Sequence, residues 1–435
     1  MLHELNTISV IGLGYIGLPT AAILASSGKN VVGVDINNTA VTAINEGRAH
    51  FFEPELNSMV ADGVQSGNLR AVNSPEAADA FIIAVPTPVS KGNVPYLGYI
   101  EAAANSIAPV LKSGDLIILE STSPVGTVEM MASKLAAARP DLKWPHEVGE
   151  AADMLVAYCP ERIIPGRMMT ELVENDRIIG GLSENSIMAA TALYSSFARG
   201  KLVPTTGRTA EMVKLTENAY RDVNIAFANE LSKVCDHFGI DAWEVIDLAN
   251  HHPRVNILNP GPGVGGHCIA VDPWFIVHAA DGLAPLMQTA REVNDSKPGY
   301  VVDKVAAMVQ PGDKIACLGL AYKADTDDLR ESPAIQVVEE MADAGIGQLL
   351  AVEPNVEALP SSLIQKGVMQ SSLPDALRQC ETIVLLVDHQ AFKELDLSLL
   401  QGKRVYDSRG IWPQYRACKD KPAPTLLHTY VEAAE

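Results

Sequence analysis

Between residues 12 and 17 the chain reads Gly12-Leu13-Gly14-Tyr15-Ile16-Gly17. An apolar run, Thr7 to Ile11, precedes this segment, and a helical pattern from about Leu18 to Ser27 follows it. A glycine turn between a strand and a helix lets the backbone bend sharply and approach a pyrophosphate. The phosphates then sit on the free N–H groups at the helix N-terminus. A second strand, Asn30 to Ile36, contains Val32-Gly33-Val34-Asp35, which puts a carboxylate about 20 residues on, where it would meet ribose hydroxyls. A carboxylate there repels a 2′-phosphate, so the pattern predicts NAD and not NADP as cofactor.

Further β-like runs at Ala80–Val85, Leu116–Glu120, Met154–Tyr158 and Arg177–Gly180 alternate with helical patterns. That alternation predicts an α/β fold with a doubly wound parallel sheet of Rossmann type. From Thr209 to about Phe238 Pro and Gly are absent and the period is helical, with Gly239 as the stop. A shorter helical stretch, about Ala242 to Asn250, leads to the loop Asn259-Pro260-Gly261-Pro262-Gly263-Val264-Gly265-Gly266. After Pro311-Gly312-Asp313 alternation resumes, with strands expected at Lys314–Gly319, Gln348–Val352, Thr382–Val387 and Arg404–Tyr406. This second α/β domain lacks a GxGxxG in its first turn. The expected division is 1–207 (NAD binding), 208–300 (helical, with a cysteine loop) and 301–435 (second α/β domain). A chain of 435 residues exceeds what one core normally supports.

The net charge of −20 disfavours nucleic acid and anionic membranes as partners. No apolar run is long enough for a membrane span, and Met1–Asn6 lacks the basic start of a signal peptide. The six cysteines, Cys159, Cys235, Cys268, Cys317, Cys380 and Cys418, show no metal spacing. They read as reduced thiols in a cytoplasmic protein with no metal site.

Three further segments carry candidate chemistry. Cys268 lies in Gly265-Gly266-His267-Cys268, four residues before Asp272. It fits either a covalent nucleophile in a loop open to substrate or a packing cysteine, while His267 reads as a surface or structural residue. Lys214, Asn218 and Arg221, at i, i+4 and i+7, share one helical face flanked by Glu217 and Asp222. That face is either solvated or suited to an oxyanion or phosphate. Lys323-Ala324-Asp325-Thr326-Asp327-Asp328-Leu329-Arg330 follows a strand, where ligands bind in open α/β sheets; taken alone it is a charged loop.

Together these pieces resemble the UDP-glucose / UDP-N-acetylmannosamine dehydrogenase family over nearly the whole chain. The resemblance rests on the Gly12–Gly17 turn with Asp35; Ala84-Val85-Pro86-Thr87-Pro88; Glu120-Ser121-Thr122-Ser123-Pro124-Val125-Gly126-Thr127; Cys159-Pro160-Glu161-Arg162; Lys214-x3-Asn218; Gly263-x-Gly265-Gly266-x-Cys268-x3-Asp272; and Lys323-x6-Arg330. The resemblance implies oxidation of the C6 alcohol of a UDP-sugar to a carboxylate with two NAD. Cys268 would be the nucleophile, passing through a thiohemiacetal and a thioester. Lys214 and Asn218 would stabilise oxyanions, and Asp272, Thr122 and Glu161 would handle protons and water. Cofactor contacts are implied for Gly12, Gly14, Tyr15, Ile16, Gly17, Asp35, Thr87, Thr122 and Arg330. Substrate contacts are implied for Glu161, Arg162, Lys214, Asn218, Arg221, Gly265 and Lys323. Arg254 would reach the neighbouring subunit's site in a homodimer.

Glu161-Arg162-Ile163-Ile164-Pro165-Gly166, Arg221-Asp222-Val223-Asn224-Ile225 and His267 depart from the UDP-glucose branch and resemble the N-acetylhexosamine branch. The run His252-Pro253-Arg254-Val255-Asn256-Ile257 is closest to its N-acetyl-D-mannosamine members. UDP-N-acetylglucosamine, which differs at C2 alone, and UDP-glucose stand as alternatives. Two rival readings are a two-electron β-hydroxyacid-type dehydrogenase, which needs neither a nucleophilic thiol nor the last domain, and a non-catalytic nucleotide-sugar sensor. The set Thr122, Glu161, Lys214, Asn218, Cys268 and Asp272 argues against the sensor.

Overall fold

The computed structural model describes residues 5–90, 92–164, 166–310 and 312–416. Cys418, the segment Met1–Glu4 and the residues after 416 therefore lie outside the described residues. The chain divides into two compact units, residues 1–217 with 274–282 and residues 218–273 with 283–435.

The first unit is built on an eight-stranded sheet. Its strands are β1 (Thr7–Ile11), β2 (Asn30–Val34), β3 (Leu69–Val72), β4 (Ala80–Ile83), β7 (Leu116–Leu119), β8 (Leu155–Tyr158), β9 (Arg177–Gly181) and β10 (Leu202–Thr206). A short antiparallel ribbon, β5 (Val89–Ser90) with β6 (Val94–Pro95), lies outside that sheet. The strand order is β10-β9-β8-β7-β4-β1-β2-β3. Strands β1 and β4 are buried on both faces, as near-continuous apolar runs require in a parallel sheet covered by helices. β9 pairs with β8 antiparallel, so the sheet is mixed and not wholly parallel. β10 escapes pattern reading because Pro204 interrupts it; an edge strand tolerates a proline that a central one does not.

The glycine turn opens the helix Gly17–Ser26, and the long helix expected from Thr209 runs from Gly207 to Phe238. The second unit holds a parallel five-stranded sheet of β11 (Lys314–Leu318), β12 (Gln348–Val352), β13 (Met369–Gln370), β14 (Thr382–Leu385) and β15 (Arg404–Asp407), in the order β13-β12-β11-β14-β15. In each sheet the strand order reverses beside the first strand, β1 or β11. That switch point is where open α/β sheets bind ligands. Among the described residues no helix is long and apolar enough to cross a membrane.

Candidate functional site

Gly12 has φ +91°, and a Cβ there would lie 2.6 Å from the Ala84 carbonyl oxygen, so only glycine allows the turn. Nothing lies within 4 Å of where a Gly14 Cβ would point, and that side of the turn is open. No side chain caps the first turn of the helix Gly17–Ser26, and no acidic residue sits in it. An uncapped N-terminus over a glycine turn suits the diphosphate of NAD. Asp35 closes the turn: its Oδ2 accepts from the Leu13 N–H at 2.8 Å and its Oδ1 from the Asn37 N–H at 2.8 Å. Tyr15 stacks on Phe51 at 4.4 Å. Ser121 ties the Thr87 segment to the Thr122 segment, because its hydroxyl accepts from the Val85 N–H at 2.9 Å and donates to the Val85 carbonyl at 2.7 Å.

Behind Thr122 lies a buried polar cluster. Glu161 forms an ion pair with Arg177, and both side chains are almost wholly enclosed. The contact is a charge pairing and not a well-aligned hydrogen bond, since Arg177 Nη1 makes none. Glu120 shares the cluster and accepts from the Tyr194 hydroxyl at 2.6 Å and the Thr20 hydroxyl at 3.3 Å. Burial, reinforced by the neighbouring Glu161 charge, pushes the Glu120 carboxyl up to about 7. Burial also pushes the Cys159 thiol in this cluster up to about 12. Of the five described cysteines, Cys159, Cys235, Cys317 and Cys380 are buried and Cys268 alone is exposed.

On the long helix Lys214 and Asn218 are buried, one turn apart, while Arg221 on the same stripe is exposed. Asp222, which flanks this stripe, is buried in an ion pair with Arg291, Nη1 to Oδ1 at 2.6 Å. Glu217 binds Arg162 at 2.8 Å, so the substrate contact expected of Arg162 competes with an ion pair within its own unit. Glu211 accepts from the N–H groups of Gly126 and Val128 at 2.6 and 2.8 Å, capping the helix Thr127–Ala138. Burial pushes Glu211 up to about 7.

In the second unit Asn218 Nδ2 donates to Asp272 Oδ2 at 2.5 Å, and the Asp272 N–H donates to the Cys268 carbonyl at 2.8 Å. Asn229 Oδ1 accepts from the Gly261 N–H at 2.9 Å and so anchors the start of the cysteine loop to the helix. A Cβ on Gly265 would lie 2.3 Å from the Glu331 carbonyl oxygen, and one on Gly266 3.1 Å from the Tyr322 ring. Sequence reading explains these glycines by a closely approaching substrate; in the structure the close approach comes from the chain itself. It brings the Cys268 loop against the 322–331 loop, which carries Lys323 and Arg330. Arg330 pairs with Asp328 at 2.6 Å. Burial and the Arg330 charge lower the His267 pKa from its ordinary value. Arg254 is exposed, beyond the helix Ala242–Ala249.

Three family models of the UDP-glucose/GDP-mannose dehydrogenase family match consecutive parts of the chain: the NAD-binding domain at 6–198, the central domain at 208–296 and the UDP-binding domain at 316–414. The chain belongs to this family. It is an NAD-dependent nucleotide-sugar dehydrogenase. A protein of Ralstonia nicotianae named NDP-N-acetyl-D-galactosaminuronic acid dehydrogenase is 57% identical, over 95% of this chain and 98% of its own. The UDP-N-acetyl-D-mannosamine dehydrogenase of Yersinia pestis is 56% identical over 94% of this chain and 99% of its own. Among solved structures, that of the UDP-D-ManNAc dehydrogenase of Pyrococcus horikoshii has a TM-score of 0.84 at 39% identity, covering 97% of this chain and 98% of the other.

Within this dehydrogenase, sequence reading gave no role to Glu120, Ser121, Arg177, Tyr194, Glu211, Asn229 and Arg291. Apart from Glu161, the ion-pair partner of Arg177, their main partners lie 32 to 100 residues away, and no local pattern announces such pairings. A polar residue inside an apolar or helical run was the one available signal, as at Glu120 after Leu116–Leu119.

Proposed function

We propose that this enzyme oxidises the C6 alcohol of a UDP-N-acetylhexosamine to the uronate, a four-electron reaction run through Cys268. The exposed thiol at the end of a loop held by Asn218 and Asp272 carries this reading. Bound NAD supplies a two-electron acceptor, used twice per substrate. Gly12, Gly14, Tyr15, Ile16, Gly17, Asp35, Thr87 and Thr122 would hold it, with Arg330 as a further contact. In the first oxidation one C6 hydrogen leaves with its electron pair for that acceptor, Asp272, Thr122 and water take up the C6 hydroxyl proton, and Lys214 and Asn218 stabilise the developing alkoxide. The Cys268 sulfur then bonds to the aldehyde carbon, the thiol proton passing to the aldehyde oxygen, to give a thiohemiacetal. Loss of the remaining C6 hydrogen with its electron pair to the same kind of acceptor, and of the hydroxyl proton to the acid–base groups, leaves a thioester. Water adds to the thioester carbon, the C–S bond breaks, and uronate and the Cys268 thiol are released. Glu161, held by Arg177, orders that water. Lys323, Arg162, Arg221 and Gly265 serve the UDP-sugar.

A functional division into three parts at 207 and 300 is the proposed organisation, and family models matched at 6–198, 208–296 and 316–414 support it. A homodimer is the proposed assembly, with Arg254 reaching the partner's site. Tyr220, Phe227, Val234 and Phe238 are exposed along the long helix at spacings that form an apolar stripe, which favours a second copy as its cover. The cytoplasm is the proposed compartment, on the reading of the scattered cysteines as reduced thiols.

UDP-N-acetyl-D-mannosamine is the proposed substrate. The name of the Ralstonia relative favours a second reading, the galactosamine sugar, which differs at both C2 and C4. The test is NADH production with UDP-N-acetyl-mannosamine, -glucosamine and -galactosamine and with UDP-glucose. Two NADH per mannosamine substrate is expected. One NADH per substrate overturns the four-electron route, and preference for another sugar overturns the substrate.

A further inference from the structure

The second sheet repeats the first around its switch point. In the first unit the Gly12 N–H donates to the Val34 carbonyl at 2.8 Å and the Leu13 N–H to Asp35 Oδ2 at 2.8 Å. In the second, the Gly319 N–H donates to the Val352 carbonyl at 2.8 Å and the Leu320 N–H to Glu353 Oε2 at 2.7 Å. Gly12 and Gly319 have φ +91° and +89°, and the partner strands follow the same order, β2-β1-β4 and β12-β11-β14. Glu353 thus stands where Asp35 stands. Its carboxylate, however, is saturated by this chain. Oε2 also accepts from the Ala321 N–H at 3.0 Å and meets His389 Nε2 at 2.9 Å, and Oε1 accepts from the Asn355 N–H at 3.0 Å and from its Nδ2 at 3.2 Å. A carboxylate so engaged and buried is withdrawn from reading ribose.

The other face of His389 explains the exchange. Its Nδ1 accepts from the Asp325 N–H at 2.9 Å, with Asn355 Nδ2 at 3.0 Å. A backbone donor forces Nδ1 to be the unprotonated nitrogen, so Nε2 carries the hydrogen and donates to Glu353. Asp325 has φ +56°, a conformation that non-glycine residues rarely adopt, and a second bond pins it: the Gln390 N–H donates to its Oδ1 at 2.9 Å. The loop bearing Lys323 and Arg330 is therefore latched at its turn to a fully buried imidazole.

We propose that His389 is a positioning residue for the nucleotide-sugar: through Nδ1 it holds the Asp325 turn and thereby sets where Lys323 meets the substrate diphosphate. This rests on the reading of Lys323 as a substrate-binding residue. In this half of the molecule the strand-end carboxylate no longer reads the ligand; it orients the histidine that orients the loop.

Two variants separate the bonds. In His389→Asn the amide oxygen falls near the place of Nδ1 and keeps the loop bond; in His389→Gln the amide nitrogen reaches the place of Nε2 and keeps the Glu353 bond. UDP binding by calorimetry is the readout, with KM for the UDP-sugar, kcat and the melting temperature alongside. His389→Gln is expected to weaken UDP binding about tenfold and raise the UDP-sugar KM with a smaller change in kcat, as loss of one buried hydrogen bond predicts. His389→Asn is expected to stay near wild type in UDP binding even where its melting temperature falls. Equal weakening in both, or none in His389→Gln, overturns the proposal. Should neither variant fold, amide hydrogen exchange at Asp325 in the unaltered enzyme reads the bond directly. Slow exchange without ligand, slowed further by UDP, supports the latch, and fast exchange indifferent to UDP overturns it. Lys323→Ala is the control: if UDP binding is indifferent to Lys323, the underlying reading of that lysine fails, a result distinct from failure of the latch.

Discussion

Asn218 and Asp272, 54 residues apart, share a buried hydrogen bond of 2.5 Å, and the Asp272 N–H bonds to the carbonyl of Cys268. The long helix and the cysteine loop are thus joined by one carboxylate. Asp272→Asn keeps the volume but removes the charge and the acceptor geometry. We expect kcat to fall about a hundredfold with a smaller change in KM for the UDP-sugar, in the range of a lost proton-handling group. Steady-state rates at saturating NAD check this. A change confined to KM would count against a role at the reacting carbon.

Cys268→Ser and Cys268→Ala should fail differently. The serine retains an oxygen nucleophile, and its ester resists water more than a thioester does. Slow uronate release and a covalent adduct on the introduced residue are expected. The alanine variant has no nucleophile. Mass spectrometry of quenched reactions, with NADH counted per substrate, reads both, and two-NADH turnover by Cys268→Ala at the wild-type rate would refute covalent catalysis.

Asp35→Ala removes the acceptor of the Leu13 N–H as well as the charge that repels a 2′-phosphate. The NAD over NADP ratio of kcat/KM should narrow by about tenfold or more, and stability should drop by about 1 kcal/mol for the lost hydrogen bond. An unchanged ratio would remove Asp35 from cofactor selection.

Glu120 gives a pH signature in stability. Burial first, and the Glu161 charge second, push its carboxyl up to about 7 from an ordinary value of 4.5. The folded chain therefore binds a proton that the unfolded chain has released between those values. The stability tied to that proton is whole below the ordinary value and is lost as pH rises through about 7. Glu120→Gln mimics the protonated form, so its melting temperature relative to wild type should rise between pH 5 and pH 8. A pH-independent difference contradicts the assignment.

Arg254 tests subunit sharing. Arg254→Ala and Cys268→Ala subunits, each inactive in its own homodimer, should regain part of the activity when mixed, because hybrid dimers contain one intact site. Verified hybrids without recovery would confine Arg254 to its own subunit.

The local patterns carried much of the architecture. The Gly12–Gly17 turn, the strands Thr7–Ile11 and Asn30–Val34, the long helix and the four main strands of the second sheet are set by the period of apolar residues and by backbone sterics. Both act over a few residues and so are written in order along the chain. The four-residue spacing of Cys268 and Asp272 is local in the same way, and the Asp272 N–H bonds to the Cys268 carbonyl, whereas the roles given to both residues come from the family resemblance. The tertiary fold decided what those residues meet. That Glu161 is paired with Arg177 and crowded by Glu120, that Gly265 faces Glu331, and that His389 latches Asp325 depend on elements far apart in sequence being packed together. The β9 direction was decided there too, since hydrogen bonding between neighbouring strands sets it and not the side-chain period. A buried charge must find its partner wherever the fold places one, and nothing in the local spacing of a single glutamate or histidine says where that is.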